Sequence, residues 1–233
     1  MSTKKLDTNS NVYTLLFAAV MVIIVAFLLA FVNSSLRDKQ NENVKADTKK
    51  QILAALNVKN VANANVEFLH YVKADKLMAS DGKLDETVNE SDFVTSYEKE
   101  AKALKRFHVF VCEKDGETKY VIPVYGTGLW GAIWGYIALN ADKNSVYGVY
   151  FSHASETPGL GAEIAGEKFM NEFLGKQVME KGNIVLSVVK NGKVDNPACQ
   201  VDGISGGTIT SNGVSLMLKE CLANYMPFLT AKE

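Results

Sequence analysis

The longest uninterrupted run of apolar residues lies near the start of the chain, at residues 12–32. It carries no charged residue, and Thr14 is its one strongly polar interruption. A helix of this length spans about 30 Å, the hydrocarbon thickness of a bilayer. A cleaved signal peptide would have a shorter apolar core and a small-x-small cleavage site, which residues 33–39 lack. The run therefore predicts one uncleaved transmembrane helix, preceded by a short tail over residues 1–11.

A polar stretch rich in Lys, Gln, Asn and Asp follows the span, and its sparse apolar positions are concentrated at its far end. This pattern predicts a helical connector over residues 33–57 that docks only at that end. Residues 58–105 are charged and weakly patterned, so they predict no particular element. The soluble domain is placed at residues 58–233.

From Phe107 onward the pattern becomes that of a sheet. Short apolar runs bounded by turn residues predict strands at residues 107–111, 120–125, 132–139, 145–151 and 184–189, with a helix at about 166–174. The connections between the strands are too short for parallel crossovers. The predicted fold class is therefore α+β, with a mainly antiparallel sheet flanked by helices.

The end of the chain carries the clearest helical pattern. Apolar residues recur at helical spacing and predict one buried stripe, formed by Val214, Met217, Leu218, Cys221, Leu222 and Tyr225. The helix is predicted to begin at about Asn212, with Thr210 or Ser211 as its N-cap, and to end before Pro227.

Composition narrows the function classes. The chain has 233 residues and a formal net charge of −1, and it lacks a basic stripe interleaved with aromatic residues, so a nucleic-acid partner is not expected. Its three cysteines are widely spaced and predict buried small side chains rather than a metal site or a disulfide framework. Lys4 and Lys5 precede the span and more cationic residues follow it, so charge alone leaves the orientation of the span undecided.

Three glycine-rich segments are candidates for chemistry. Residues 202–211 combine three glycines with four hydroxyl side chains directly before the last helix, where free N–H groups suit a phosphate. Residues 126–131 match G-x-G-x-x-G, but the strand-like residues 132–139 follow them, so a glycine-rich turn is predicted instead of a dinucleotide fold. Trp130 is either exposed on this turn, where it could lie against a planar ring, or packed in the core. Residues 156–161 form another turn, which Pro158 stiffens.

Together these segments resemble a known family. Asp-Gly-Ile-Ser-Gly-Gly-Thr at residues 202–208 resembles the flavinylation motif D-G-x-[ST]-G-A-T, whose last threonine carries FMN through a phosphoester bond. Residues 128–130, 156–161 and 36–40 resemble signatures of the NqrC family, which supplies one subunit of the sodium-translocating NADH:quinone reductase. The order and spacing agree over essentially the whole chain. Gly207 stands where the family pattern usually has Ala.

The resemblance implies that a separate flavin transferase delivers FMN, covalently, to the Thr208 hydroxyl. It places Ser205 and Thr210 near the phosphate and ribityl chain, and the 128–130 and 156–161 turns around the ring. The full set of cofactor-binding residues it implies is Thr208, Ser205, Gly206, Gly207, Thr210, Leu129, Trp130, Glu156, Thr157, Gly159, Leu160 and Gly161. It implies neither a catalytic residue nor a metal ligand on this chain.

The resemblance also implies a place in a complex. The chain would be a single-pass protein of the bacterial inner membrane, with its soluble domain in the periplasm. It would pass electrons from an iron–sulfur centre held by the membrane pair NqrD and NqrE to the flavin of NqrB, alongside NqrA and NqrF. The NADH site would lie on another subunit, so this chain would hold no complete active site. Two alternatives remain at this point: the equivalent RnfG subunit of the Rnf-type ferredoxin:NAD reductase, and a cofactor-free, membrane-anchored binding module.

Overall fold

The computed structural model of the chain describes residue 8 and residues 10–231. Most of the predicted tail over residues 1–11, including Lys4 and Lys5, lies outside the described residues. The chain divides into two compact units, residues 1–44 and residues 45–233.

One continuous helix, α1, covers Asn11–Ala55. Its apolar part is long enough and apolar enough to cross a membrane, by length and composition. Its last turns belong to the second unit. Ile52 and Leu53 are fully buried there, as is Leu56 just beyond the helix, whereas the apolar side chains of the candidate span are exposed. The boundaries drawn from the sequence after residues 32 and 57 stay predictions, while the second compact unit itself begins at Lys45.

The second unit is built on a six-stranded sheet in the order β2-β1-β3-β4-β5-β6, in which every neighbouring pair is antiparallel. This confirms the α+β class and the mainly antiparallel sheet. β1 and β2 come from residues 58–105, where the sequence predicted no element. The strands are β1 Val72–Met78, β2 Leu84–Val88, β3 His108–Lys114, β4 Glu117–Thr127, β5 Ala132–Asn140 and β6 Val146–His153.

Both faces of this sheet are covered, which explains the nearly continuous apolar runs in its central strands. Val121 on β4 faces a core formed with the end of α1, whereas its neighbour Ile122 faces a core formed with the C-terminal helix. Tyr136 and Ile137 on β5 alternate in the same way, since successive side chains of a strand point to opposite faces. The sheet is therefore the middle of three layers.

The remaining elements surround this sheet. The predicted strand over residues 184–189 is wrong, because the chain turns within it and its two ends pair separately, the second of them in a parallel pair. The helices are α2 Ala64–Tyr71, α3 Tyr97–Lys99, α4 Glu167–Asn171, α5 Thr208–Asn224 and α6 Met226–Thr230, and the short strands are β7 Met179–Glu180, β8 Asn183–Ile184, β9 Ser187–Val189 and β10 Gln200–Asp202.

The helix α5 buries the stripe that the sequence predicted, including Val214, Leu218 and Leu222, each of which is fully buried. Its predicted start at Asn212 is wrong: the helix begins four residues earlier, at Thr208, and Gly207 is its N-cap. The stripe fixes α5 against the sheet, and with it the loop that precedes the helix.

Candidate functional site

Three turns meet at one end of the sheet. β4 ends and β5 begins there, with Thr127 opposite Ala132, and β6 ends beside them, with His153 opposite Ile133. The N–H of Gly128 donates to the Gly131 carbonyl (2.8 Å), which closes the β4–β5 hairpin. The G-x-G-x-x-G segment is thus a hairpin turn, as predicted, and no helix follows it.

The loop before α5 comes to the same end of the sheet. Gly206 has φ +77°, a left-handed conformation that glycine adopts without strain, whereas Gly207 has φ −106°. The first helical hydrogen bond runs from the Ser211 N–H to the Gly207 carbonyl (2.9 Å). No side chain caps α5. The N–H groups of its first residues, beginning with Thr208, therefore precede the helical ladder and face outward at the positive end of the helix dipole.

The four hydroxyl side chains of this loop divide into two pairs. Those of Ser205 and Thr208 are on exposed residues. Thr210 is buried and donates to Glu156 Oε2 (2.6 Å), while the Ser211 hydroxyl accepts the Ile204 N–H (3.0 Å). Neither Thr210 nor Ser211 caps the helix, because each hydroxyl is engaged by another part of the chain. Thr208 is left as the exposed hydroxyl at the first helical position.

Glu156 connects the hairpin turn to α5. Its carboxylate is buried and accepts the Trp130 N–H at Oε1 (2.8 Å) as well as the Thr210 hydroxyl at Oε2. Burial opposes ionisation, but these hydrogen bonds outweigh it, so the pKa of Glu156 lies below its usual value. The carboxyl is therefore an anion at neutral pH.

The turn after Glu156 lies on the glycines of the α5 loop. Pro158 and Gly159 occupy its central positions, Gly159 has φ +75°, and the Leu160 N–H donates to the Thr157 carbonyl (3.1 Å), the pattern of a type II turn. A Cβ on Gly206 would lie 2.7 Å from Leu160 Cδ2. Leu160 thus packs directly against the loop that carries Thr208.

Exposed apolar side chains lie on all three segments that meet at this end of the sheet. Leu129 is 47% exposed, Trp130 65% and Leu160 43%, and on α5 Ile209 is 58% exposed. Ile209 was missed from the sequence, although it falls outside the helical spacing of the buried stripe and so could have been recognised as an outward residue. Together these four side chains offer an apolar surface beside an exposed hydroxyl and free N–H groups.

Asp202, at the start of the segment before α5, forms hydrogen bonds with the neighbouring loop. Its carboxylate accepts the Gly192 N–H (2.7 Å) and the Asn191 side-chain amide (3.1 Å), and its own N–H donates to Glu172 (3.1 Å). These bonds tie the neighbouring loop at residues 190–192 to the start of the motif.

The structure thus brings the three predicted segments together. Glu156 and Leu160 contact the segment that holds Ser205 and Thr208, Glu156 through the Thr210 hydroxyl and Leu160 beside Gly206, and Trp130 is joined to it through Glu156. A direct contact of each with FMN stays a prediction. Among the residues that the structure describes, no cluster of His, Cys, Asp and Glu has the arrangement of a metal site.

Comparison with known proteins agrees with this geometry. Residues 128–223, which include all three turns, match the model of the FMN-binding domain. The segment that carries the three turns is thus similar to an FMN-binding domain.

The chain belongs to the NqrC family of the Na(+)-translocating NADH-quinone reductase. NqrC from Parabacteroides distasonis is 42% identical, and its crystal structure matches with a TM-score of 0.77 over 85% of this chain and 98% of that chain. Shewanella oneidensis NqrC is 27% identical and matches with a TM-score of 0.67 over 82% and 100% of the two chains. The corresponding subunit from Vibrio anguillarum is 27% identical over 227 residues, which cover 89% of each chain. These relatives favour NqrC over the Rnf-type alternative.

Proposed function

We propose that this chain is a membrane-anchored flavoprotein subunit of a Na+-translocating NADH:quinone oxidoreductase and that Thr208 carries FMN as a phosphoester. The observation that carries the proposal is the Thr208 hydroxyl, which is exposed at the uncapped N-terminus of α5 within a match to the FMN-binding domain. When bound, FMN supplies the capacity to accept and donate electrons.

The residues present fit such a group. A phosphodiester keeps a negative charge, which the outward N–H groups and dipole of α5 stabilise. The apolar surface of Leu129, Trp130 and Leu160 suits a planar ring system. Gly206 lets the backbone turn sharply just before the phosphate position, in a left-handed conformation that a side chain would strain.

Attachment needs one bond to form and one to break. The oxygen of Thr208 bonds to the phosphorus of a flavin nucleotide donor, the bond from that phosphorus to its leaving group breaks, and the hydroxyl proton is released. This chain contributes the Thr208 hydroxyl, and a separate flavin transferase performs the reaction. Glu156 is already engaged with Thr210 and Trp130 and is assigned no role in it.

Within the complex, the chain relays electrons between an iron–sulfur centre of NqrD and NqrE and the flavin of NqrB. The NADH site lies on another subunit, and α1 anchors the chain in the inner membrane with the soluble domain in the periplasm. These assignments rest on family membership and on the candidate span at Asn11–Ala55.

The test is the intact mass of the full chain co-expressed with a flavin transferase. We expect the unmodified sequence to gain the mass of one FMN residue and to fluoresce on a denaturing gel, because the link is covalent. Thr208→Ala should gain no mass. Its free energy of unfolding should stay within about 0.5 kcal/mol of that of the parent, because only an exposed side chain is removed. Thr118→Ala is the matched control: it removes an exposed threonine at the other end of β4 and should be fully flavinylated.

Fluorescent flavin that persists on denatured Thr208→Ala would contradict the attachment site. An unmodified mass for the parent chain under conditions that flavinylate a known NqrC would favour the cofactor-free binding module instead.

A further inference from the structure

Glu156 is a charged side chain inside the protein, where a charge is costly. It is 5% exposed, and an ionised carboxylate at such a place needs hydrogen-bond donors. Donors come from both sides: the backbone N–H of Trp130 from the hairpin, and the Thr210 hydroxyl from α5. One carboxylate thus binds two elements that are far apart in the sequence.

Two glycines also leave space for this carboxylate. A Cβ on Gly128 would lie 2.5 Å from Glu156 Oε1, and a Cβ on Gly161 would collide with both Glu156 Oε2 and the Thr210 hydroxyl. Any side chain at either glycine would therefore displace the carboxylate. These two glycines act through the room they leave rather than through backbone conformation, since neither has positive φ.

The consequence is clearest at Trp130. Its N–H donates to Glu156, and its carbonyl accepts the Ser155 hydroxyl (2.9 Å), so its backbone is held on both sides. Its side chain, in contrast, is 65% exposed and free to lie against a ligand. On the α5 side, Thr210 is held two residues after Thr208 in the first turn of the helix.

We propose that Glu156 is a positioning residue of the flavin site. Its carboxylate locks the hairpin turn that bears Trp130 to the first turn of α5, which bears Thr208. The Trp130 ring and the Thr208 hydroxyl are thereby held at a fixed mutual position. The consequence for the flavin rests on the proposed attachment at Thr208, whereas the lock itself is a property of the protein alone. Glu156 acts through Trp130 and Thr210 and needs no contact with the cofactor.

The first experiment needs no flavin. Hydrogen–deuterium exchange is measured on the full chain in detergent, expressed without a transferase, in peptides covering residues 128–131 and 211–214, the second of which begins with the first N–H that the α5 helix protects. Hydrogen bonds to a charged acceptor predict that Glu156→Ala accelerates exchange about tenfold or more in both segments together. Glu156→Gln keeps an acceptor for the Trp130 N–H and should restore most of the protection at residues 128–131. Glu163→Gln is the matched control, because this exposed carboxylate of the same loop accepts the Gly159 N–H (3.1 Å), and both segments should exchange as in the parent.

The second experiment uses flavinylated protein in a Trp134→Phe background, so that Trp130 is the one tryptophan left. Intact mass first establishes attachment. The flavin should then quench Trp130 emission strongly in the parent and in Glu163→Gln, less in Glu156→Ala, and to an intermediate extent in Glu156→Gln.

The outcomes separate the two proposals. Acceleration of only one segment, of neither, or of the whole sheet in Glu156→Ala would overturn the lock, as would equal quenching in all attached variants. Absence of any flavin on the parent chain would overturn the attachment proposal, and the exchange measurement would still decide whether Glu156 locks the two turns.

Discussion

Gly206 and Gly207 are adjacent in the chain but serve different purposes. Gly206 has φ +77° and would bring a Cβ to 2.7 Å from Leu160 Cδ2, so it needs the freedom of glycine. Gly207 has φ −106°, and a Cβ there would lie 3.0 Å from Ile204 Cγ2 and 3.3 Å from the carbonyl carbon of Leu160, so both neighbours would have to shift by a few tenths of an ångström to admit a methyl group. The conformational freedom of glycine is therefore needed at position 206 and not at position 207.

We predict that the two Gly→Ala variants differ in stability. Gly206→Ala should lower the free energy of unfolding by about 1–2 kcal/mol, the cost of a left-handed conformation for a residue with a Cβ. Gly207→Ala should stay within about 1 kcal/mol of the parent, because the lower entropy of its unfolded chain offsets the tight contact with Ile204. Urea unfolding followed by circular dichroism measures both. Equal losses in the two variants would contradict this reading of the loop, and Gly207→Ala should also remain a substrate for flavinylation.

For the hydroxyl side chains of this loop, the sequence predicted the attachment residue but not the direction of the others. The flavinylation motif singles out Thr208, and the structure leaves that hydroxyl exposed. The order of residues does not show, however, that the hydroxyls of Thr210 and Ser211, the two predicted caps, point inward. Their inward orientation depends on Glu156 and on the Ile204 N–H, both of which are brought to them by folding.

Among the elements, α1 contributes to the soluble unit as well as forming the candidate span. Ile52, Leu53 and Leu56 are fully buried against a core that includes Phe68 and Phe110. Lys49 adds a buried ammonium group that donates to Glu90 (2.8 Å) and to Asn65 (3.0 Å). The connector predicted at residues 33–57 therefore ends as part of the core.

We predict that a chain starting at Lys45 folds as the parent does, whereas a chain starting at Val58 does not fold stably. Replacing even one buried Leu or Ile by Ala costs about 2–5 kcal/mol, and the whole stability of a domain is about 5–15 kcal/mol. Loss of the α1 end removes several such side chains at once and exposes the phenylalanines they cover. Thermal unfolding of the two truncated chains is the measurement. Indistinguishable midpoints would show that the core does not depend on the end of α1.

The strands β1 and β2 were not predicted from the sequence, and the reason is the same for both. β1 reads Val-Lys-Ala-Asp-Lys-Leu-Met and carries charges at positions that its neighbours cover. Asp75 within it is almost fully buried because it pairs with His108 on β3 (2.9 Å). β2 is an edge strand of mostly exposed charged and polar residues, as edges that avoid aggregation tend to be. Neither strand has the alternation from which a strand is predicted, because tertiary pairing rather than local pattern forms them.

At the scale of the whole molecule, the orientation of the chain is the property that charge could not decide. The proposed function puts the soluble unit in the periplasm and the N-terminal tail in the cytoplasm. The three native cysteines offer little background for thiol labelling, because Cys112, Cys199 and Cys221 are all buried.

We predict that Thr118→Cys, at an exposed site of β4, reacts with a membrane-impermeant maleimide on intact cells. Thr8→Cys, on the other side of the span, should react only after the cells are permeabilised. The reverse pattern would place the soluble unit in the cytoplasm and would contradict the proposed position in the complex.

The sequence by itself determined the features that depend on neighbours in the chain. The candidate span, the central strands, the buried stripe of α5 and the attachment motif each follow from local spacing or local composition, so each could be recognised before the fold was known. The tertiary structure decided the features that depend on residues distant in sequence: the strands β1 and β2, the start of α5, the direction of each hydroxyl, and the place of Glu156 between Trp130 and Thr210. The physical reason is that burial and hydrogen-bond partners are assigned only when the chain folds, and these assignments leave Thr208 outward and Glu156 charged within the protein.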